Sequence, residues 1–118
     1  MTTELGKELR KLRIDHNERL LDMSEKIGKS SAFISAVETG QKTPPNGFEE
    51  LVIGAYHLAR AAAEKLRIAA DKSRSAFTIT ADTPLSRDTA GLLARKMNSL
   101  SDEQLEEIKH ILRRGKEE

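Results

Sequence analysis

Three breaks in the first half of the chain divide it into short helical segments. The tripeptide Gly28-Lys29-Ser30 interrupts one run of periodic apolar residues, Gly40 closes the next, and Pro44-Pro45 prevents that run from continuing. Glycine can adopt the left-handed conformation that a tight helical turn requires, and Ser30 is suited to cap the helix that follows. The spacing therefore predicts two short helices joined by a three-residue turn.

Apolar residues recur at helical spacing along most of the chain. The predicted helices span Thr3–His16, Leu20–Ile27, Ser31–Thr39, Gly47–Tyr56 and Ala59–Ser73, with a sixth starting at Ser86 and a seventh after Ser101. Asn46 is expected to cap the fourth helix. Ser101 and Gln104 have the spacing of a capping box at the start of the seventh.

The stretch "SAFTITADTP" breaks the helical pattern, because Phe77, Ile79 and Ala81 alternate with threonines. A period of two predicts a short strand ending before Pro84. The expected fold is mainly α: a five-helix domain over residues 1–75, then a strand–helix–helix extension over residues 76–118. A lone strand needs a partner, so we expect a two-fold dimer. The residues expected to join its subunits are Phe77, Ile79, Leu93, Met97, Leu105 and Ile108.

The composition excludes several classes of chemistry. With no cysteine, disulfides and thiolate zinc sites are ruled out. The three histidines, His16, His57 and His110, are far apart and lack carboxylates at metal-ligand spacing, so neither a metal nor another cofactor is expected. No catalytic constellation is present. No apolar run resembles a signal peptide or a membrane span, which leads us to expect a cytoplasmic protein without a membrane partner.

Bulk charge does not mark a nucleic-acid binder, because the net charge is only +1. Residues 1–75 hold 13 basic and 11 acidic side chains, and the remainder holds 7 and 8. Any affinity for DNA must therefore depend on where the cations lie.

The sequence "LRKLR" at 9–13, "MSEKIGKSSAFISAVETG" at 23–40 and Pro44 together resemble the Xre family of lambda-repressor-like helix-turn-helix regulators. The likeness covers residues 5–57, and "AFISAVETGQKTPP" is similar to a phage and mobile-element subgroup. The resemblance implies double-stranded DNA as partner. It also implies a buried ion pair between Arg13 and Glu38, the alternative being two solvated charges.

Helix three is the expected DNA-reading helix. With Ile34 and Val37 turned inward, the residues facing outward are Ala32, Ser35, Ala36 and Thr39, with Ser31 on a shoulder. The resemblance assigns base contacts to Ser31, Ala32 and Ala36. Since all of these side chains are small, recognition should depend on thymine methyl groups, water bridges and DNA shape.

The residues bordering this helix are candidates for contacts with phosphates. Lys29, Gln41 and Lys42 could hold phosphates, as could the N–H groups that follow Ser30. Phe33 either packs against a neighbouring helix or contacts DNA at the groove edge. The segment "NERLLD" departs from the family where a capping residue and a phosphate-binding glutamine are usual, and the role of Arg19 there stays open.

Two functions remain after this reading. The first is a dimeric transcriptional repressor that places two copies of helix three in successive major grooves, about 34 Å apart, on a near-palindromic operator. The second is an antitoxin that binds a toxin through its C-terminal segment and regulates its own operon. No residues support a nucleic-acid enzyme.

Overall fold

The computed structural model describes residues 2–115, and this part of the chain forms two compact units. The first unit ends at Thr78 and the second begins at Ile79. Every regular element in the described residues is helical. The mainly-α part of the expected fold therefore holds.

The first unit contains five helices, α1 to α5. They span Glu4–Asp15, Leu20–Ile27, Ser31–Glu38, Phe48–Tyr56 and Arg60–Asp71. These ranges confirm the predicted helices to within about two residues, and the bounds of α2 match the prediction at both ends.

A single apolar core lies among these five helices. Each contributes fully or nearly fully buried side chains: Leu5, Leu9, Met23, Ile27, Ile34, Val37, Phe48, Val52, Tyr56, Leu66, Ala69 and Ala70. Helices of eight or nine residues are marginal alone in water, so this shared core is what stabilises α2, α3 and α4.

Local signals set the ends of α2, α3 and α4. Gly28 ends α2 with a left-handed φ of 73°, and the Ser30 hydroxyl caps α3 by accepting from the Phe33 amide. The expected cap at Asn46 is wrong. Gly47, at a φ of 86°, occupies the N-cap position of α4, and no side chain caps that end. The chain reaches this helix through a left-handed turn, which favours glycine at that position.

Helices α1 and α3 approach closely at Gly6. A Cβ atom on Gly6 would lie 2.3 Å from the carbonyl oxygen of Glu38. The same carbonyl accepts a hydrogen bond from the backbone amide of Thr3 at 2.9 Å. The absence of a side chain at Gly6 thus lets the start of α1 lie against the end of α3.

The second unit contains α6 (Pro84–Lys96), a 3₁₀ turn (Met97–Ser99) and α7 (Asp102–Arg114). The Ser101–Gln104 capping box at the start of α7 is confirmed, with the Ser101 hydroxyl accepting from the Gln104 amide. Thr83 caps α6 in a similar way with Ser86. No described residue of this unit is buried.

The predicted strand after residue 75 is wrong. Residues 75–82 form no helix or strand, and Phe77 and Ile79 are 59% and 63% exposed. A strand requires a neighbour to bond its backbone amides and carbonyls, and the described chain contains no second strand to supply one. Alternation of apolar residues marked an extended segment, but alternation alone does not make a sheet.

Candidate nucleic-acid interface

Helix α3 turns one face into the core and the other to solvent. Ile34 and Val37 are fully buried, whereas Ala32 and Ser35 are exposed. The other three residues predicted to face DNA lie half-buried on the shoulders of the helix: Ser31, Ala36 and Thr39. The outer surface of α3 is therefore narrow and made of small side chains, which would allow its backbone to approach a surface closely.

The C-terminal end of α3 is closed by its own backbone. The carbonyl of Ala36 accepts hydrogen bonds from the amides of Gln41 and Lys42, at 2.9 and 3.1 Å. The Thr39 hydroxyl donates to the Ser35 carbonyl at 3.0 Å. These bonds fold the chain after α3 back beside the helix, so exposed Gln41 and Lys42 lie next to it.

Phe33 joins the core to this outer surface. Its ring lies 5.9 Å from the ring of Phe48, centroid to centroid, and the side chain is half-buried. The ammonium groups of Lys29 and Lys42 lie 5.5 and 5.7 Å from the Phe33 centroid. The packing role expected for Phe33 is thus present, and the ring also gathers two cations beside α3.

The stretch of sequence that contains α3 has few acidic residues. Between Lys26 and Phe48 the only acidic residue is Glu38, which is 3% exposed. Of the 13 basic residues in positions 1–75, nine form ion pairs with described carboxylates. Lys29 and Lys42 are among the four that form none within residues 2–115. Both remain available to an anion.

Two cations at the ends of α2 are already engaged. Lys26 forms an ion pair with Glu18 at 2.5 Å and lies 4.3 Å from the centroid of the Tyr56 ring. Arg19 is 82% exposed and lies 3.5 Å from Asp22, whose carboxylate also accepts from the Arg19 backbone amide. Asp22 thereby satisfies the first turn of α2 in place of the missing capping side chain.

Arg13 and Glu38 are brought together inside the first unit. The guanidinium donates from Nη1 to Oε2 at 2.5 Å and from Nη2 to Oε1 at 3.2 Å. The two side chains are 12% and 4% exposed. Arg10 approaches the same carboxylate at 3.6 Å but is 52% exposed. The bidentate pair fixes the end of α3 to α1, and the main chain at Glu38 bonds Thr3.

Sequence reasoning missed a second polar cluster, which holds α2 against α4. Glu18 accepts from the Tyr56 hydroxyl at 2.6 Å and from Lys26. The bonds from Lys26 and Tyr56 lower the pKa of Glu18 below its ordinary value. Burial, together with the bond to Glu18, raises the pKa of Tyr56. Tyr56 entered the sequence analysis only as the end of the fourth predicted helix, and no local pattern links it to a residue 38 positions away.

Arg74 was also missed, although it fixes the loop that follows α3. Its side chain is 6% exposed and bonds both carboxylate oxygens of Glu49, at 3.0 and 2.8 Å. It also donates to the carbonyls of Pro44 and Pro45, at 3.1 and 2.7 Å. The loop carrying Gln41 and Lys42 is thereby anchored to the end of α5.

The predicted subunit-contact residues are only partly covered. Leu93, Leu105 and Ile108 are half-buried within the second unit, while Met97 is 43% exposed. Phe77 and Ile79 belong to the exposed segment that precedes α6. Phe77 and Ile79 therefore do not lie on a regular element beside the other four residues, because the predicted strand is not formed.

Comparison with known proteins gives no relative: no protein-family model, curated protein or solved structure matches the chain. Within residues 2–115, no group of histidine and acidic side chains is arranged to hold a metal ion. In the same described residues, no helix is both long enough and apolar enough to cross a membrane.

Proposed function

We propose that the protein is a dimeric, DNA-binding transcriptional regulator of the Xre type that reads the major groove with α3. The observation that carries the proposal is the surface of α3. A narrow ridge of small side chains is flanked by two lysines that form no ion pair among the described residues, and no exposed carboxylate occurs in the sequence from Lys26 to Phe48. These lysines would attract a polyanion.

The α2–turn–α3 geometry supports this proposal. Two eight-residue helices are joined through a left-handed Gly28 and a capping Ser30, and the backbone amides at the start of α3 lie next to Lys29. In helix-turn-helix proteins the N-terminal part of the second helix contacts bases, and its neighbours contact phosphates. Ala32 and Ser35 would then meet base edges, with Lys29 and Lys42 on the backbone.

The second unit supports the dimeric part of the proposal. Its described residues bury no side chain, and Leu85, Leu92, Met97, Ile111 and Leu112 are 43–76% exposed. A unit of about 40 residues without a core needs a partner to be stable. A second copy of the chain would also place two α3 helices on one operator, the near-palindrome expected of a two-fold dimer.

A charge placed on the α3 surface tests the base-reading role. Ala32→Glu puts a carboxylate on the second residue of α3, and Ala61→Glu puts one on the second residue of α5, at an alanine that is also exposed. We expect Ala32→Glu to abolish binding to a duplex recovered from a random pool and Ala61→Glu to bind like the parent. Equal binding by both variants, measured by fluorescence anisotropy, would refute a role for α3.

The salt dependence of DNA binding tests whether the two lysines contact phosphates. Each phosphate contact contributes about 0.9 to the slope of log K against log salt concentration. We expect Lys29→Ala/Lys42→Ala to lower that slope by about 2. The control is Arg60→Ala/Lys72→Ala, which removes two other cations that form no ion pair among the described residues. If the control variant lowered the slope by the same amount, Lys29 and Lys42 would not be specific phosphate contacts.

A further inference from the structure

Ion pairs are distributed very unevenly between the two units. All eleven ion pairs among the described residues lie between Glu4 and Arg74. Helix α7 nevertheless carries four acids and three bases in 13 residues. None of these seven charges has a partner within the described chain.

The charges of α7 are sorted along its length. The acids occupy the first half and the bases the second: Asp102, Glu103, Glu106 and Glu107, then Lys109, Arg113 and Arg114. Residues four apart on a helix are neighbours, and here three such pairs have like charge: 102 with 106, 103 with 107, and 109 with 113. The layout complements the helix dipole, but it provides only one pair of opposite charge at helical spacing, Glu106 with Lys109.

The apolar residues of α7 form a stripe between these charges. Leu105, Ile108, Ile111 and Leu112 fall within about 120° of arc on a helix of 3.6 residues per turn. Ile108 lines a cleft of about 270 Å³ with Leu92 and Leu93 of α6. Ile111 and Leu112 remain 54% and 72% exposed. The N-terminal half of the stripe, Leu105 and Ile108, is thus half-buried, and its C-terminal half is exposed.

We propose that α7 pairs antiparallel with α7 of a second copy, across the two-fold axis of the dimer. Antiparallel pairing sets the acidic half of each helix beside the basic half of the other, on both flanks of the apolar stripe. Every contact then occurs twice, as an isologous interface requires. Parallel pairing would oppose acid to acid and base to base. The charge order therefore selects both the partner and its direction.

This inference specifies the subunit contact of the proposed regulator, and it is tested without DNA. One variant, Glu103→Lys/Glu107→Lys, makes α7 predominantly basic, and another, Arg113→Glu/Arg114→Glu, makes it predominantly acidic. Sedimentation equilibrium in 50 mM salt measures the dimer dissociation constant of each. We expect either variant alone to raise that constant by about tenfold or more, since two-fold symmetry doubles each reversed contact.

Mixing the two variants separates pairing from misfolding. An equimolar mixture should form a heterodimer with a dissociation constant close to that of the parent. The positions changed to lysine in one chain then lie beside the positions changed to glutamate in the other, and the unchanged Arg113 and Arg114 lie beside the unchanged Glu103 and Glu107. A parent that is monomeric at about 50 μM, variants that dimerise like the parent, or a mixture that fails to associate would each overturn the inference. A charge-dependent dimer that binds no DNA would preserve it and refute the proposed function.

Discussion

Removal of the Arg13 side chain should destabilise the first unit severely. Arg13→Ala leaves the Glu38 carboxylate, 4% exposed, without its two guanidinium hydrogen bonds. Breaking a buried pair by deleting one member costs about 3–5 kcal/mol, because the remaining charge is left uncompensated. A unit of this size is stable by only about 4–12 kcal/mol in total. The variant should therefore lose a quarter or more of that stability, equivalent to at least about 12 °C in Tm.

Arg10→Ala is the matched control. Arg10 lies on the same helix and approaches the same carboxylate at 3.6 Å, but its side chain is 52% exposed. An exposed ion pair contributes at most about 1 kcal/mol, so this variant should remain close to the parent. Replacing both members of the buried pair, as Arg13→Met/Glu38→Leu, should recover most of the loss, because no buried charge is then left alone.

Urea unfolding followed by tyrosine fluorescence measures these differences. Tyr56 is the only tyrosine, and the chain has no tryptophan, so the signal reports on the first unit. An Arg13→Ala variant that unfolds at the urea concentration of the parent would refute the stabilising role of the buried pair. The same conclusion would follow if Arg10→Ala and Arg13→Ala lowered the free energy of unfolding equally.

Three further predictions concern contacts within the first unit. Gly6→Ala should lower the free energy of unfolding by about 1–3 kcal/mol, since its Cβ would lie 2.3 Å from a backbone oxygen. The control is Gly54→Ala, whose Cβ would meet nothing within 4 Å and which should be neutral or stabilising in the same urea assay. Arg74→Ala should lower the free energy of unfolding by about 1.5–3 kcal/mol through the loss of charged hydrogen bonds, and it should also weaken DNA binding. A variant that matches the parent in both assays would contradict this prediction. Glu18→Gln should make the free energy of unfolding less dependent on pH in the acid range. The lowered pKa of Glu18 stabilises the fold above pH 4.5, and this contribution disappears as pH falls through the folded-state pKa. A difference between parent and Glu18→Gln that is the same at pH 6 and pH 3 would contradict it.

Local signals in the sequence predicted most of the first unit. Gly28, Ser30 and the proline pair act on their own neighbourhood, so the bounds of α2 and α3 could be read from residues a few positions apart. The small outward face of α3 followed from placing Ile34 and Val37 inside, and the structure buries both fully.

The contacts that the sequence did not reveal are those between distant residues. Arg74 bonds Glu49 and the Pro44 carbonyl, 25 and 30 positions away, and a lone arginine near a helix end gives no sign of such partners. The prediction of a strand at residues 76–81 was wrong for a related reason. Alternation describes which way side chains point, whereas a strand depends on a neighbouring backbone that no local pattern can provide.

DNA reading by α3 can be tested by selecting duplexes from a random pool with the purified protein and sequencing them. We expect an enriched, thymine-rich near-palindrome with half-sites about one helical turn apart, and no enrichment by Ala32→Glu. A pool that stays random, or the same motif enriched by Ala32→Glu, would contradict the claim that α3 reads DNA.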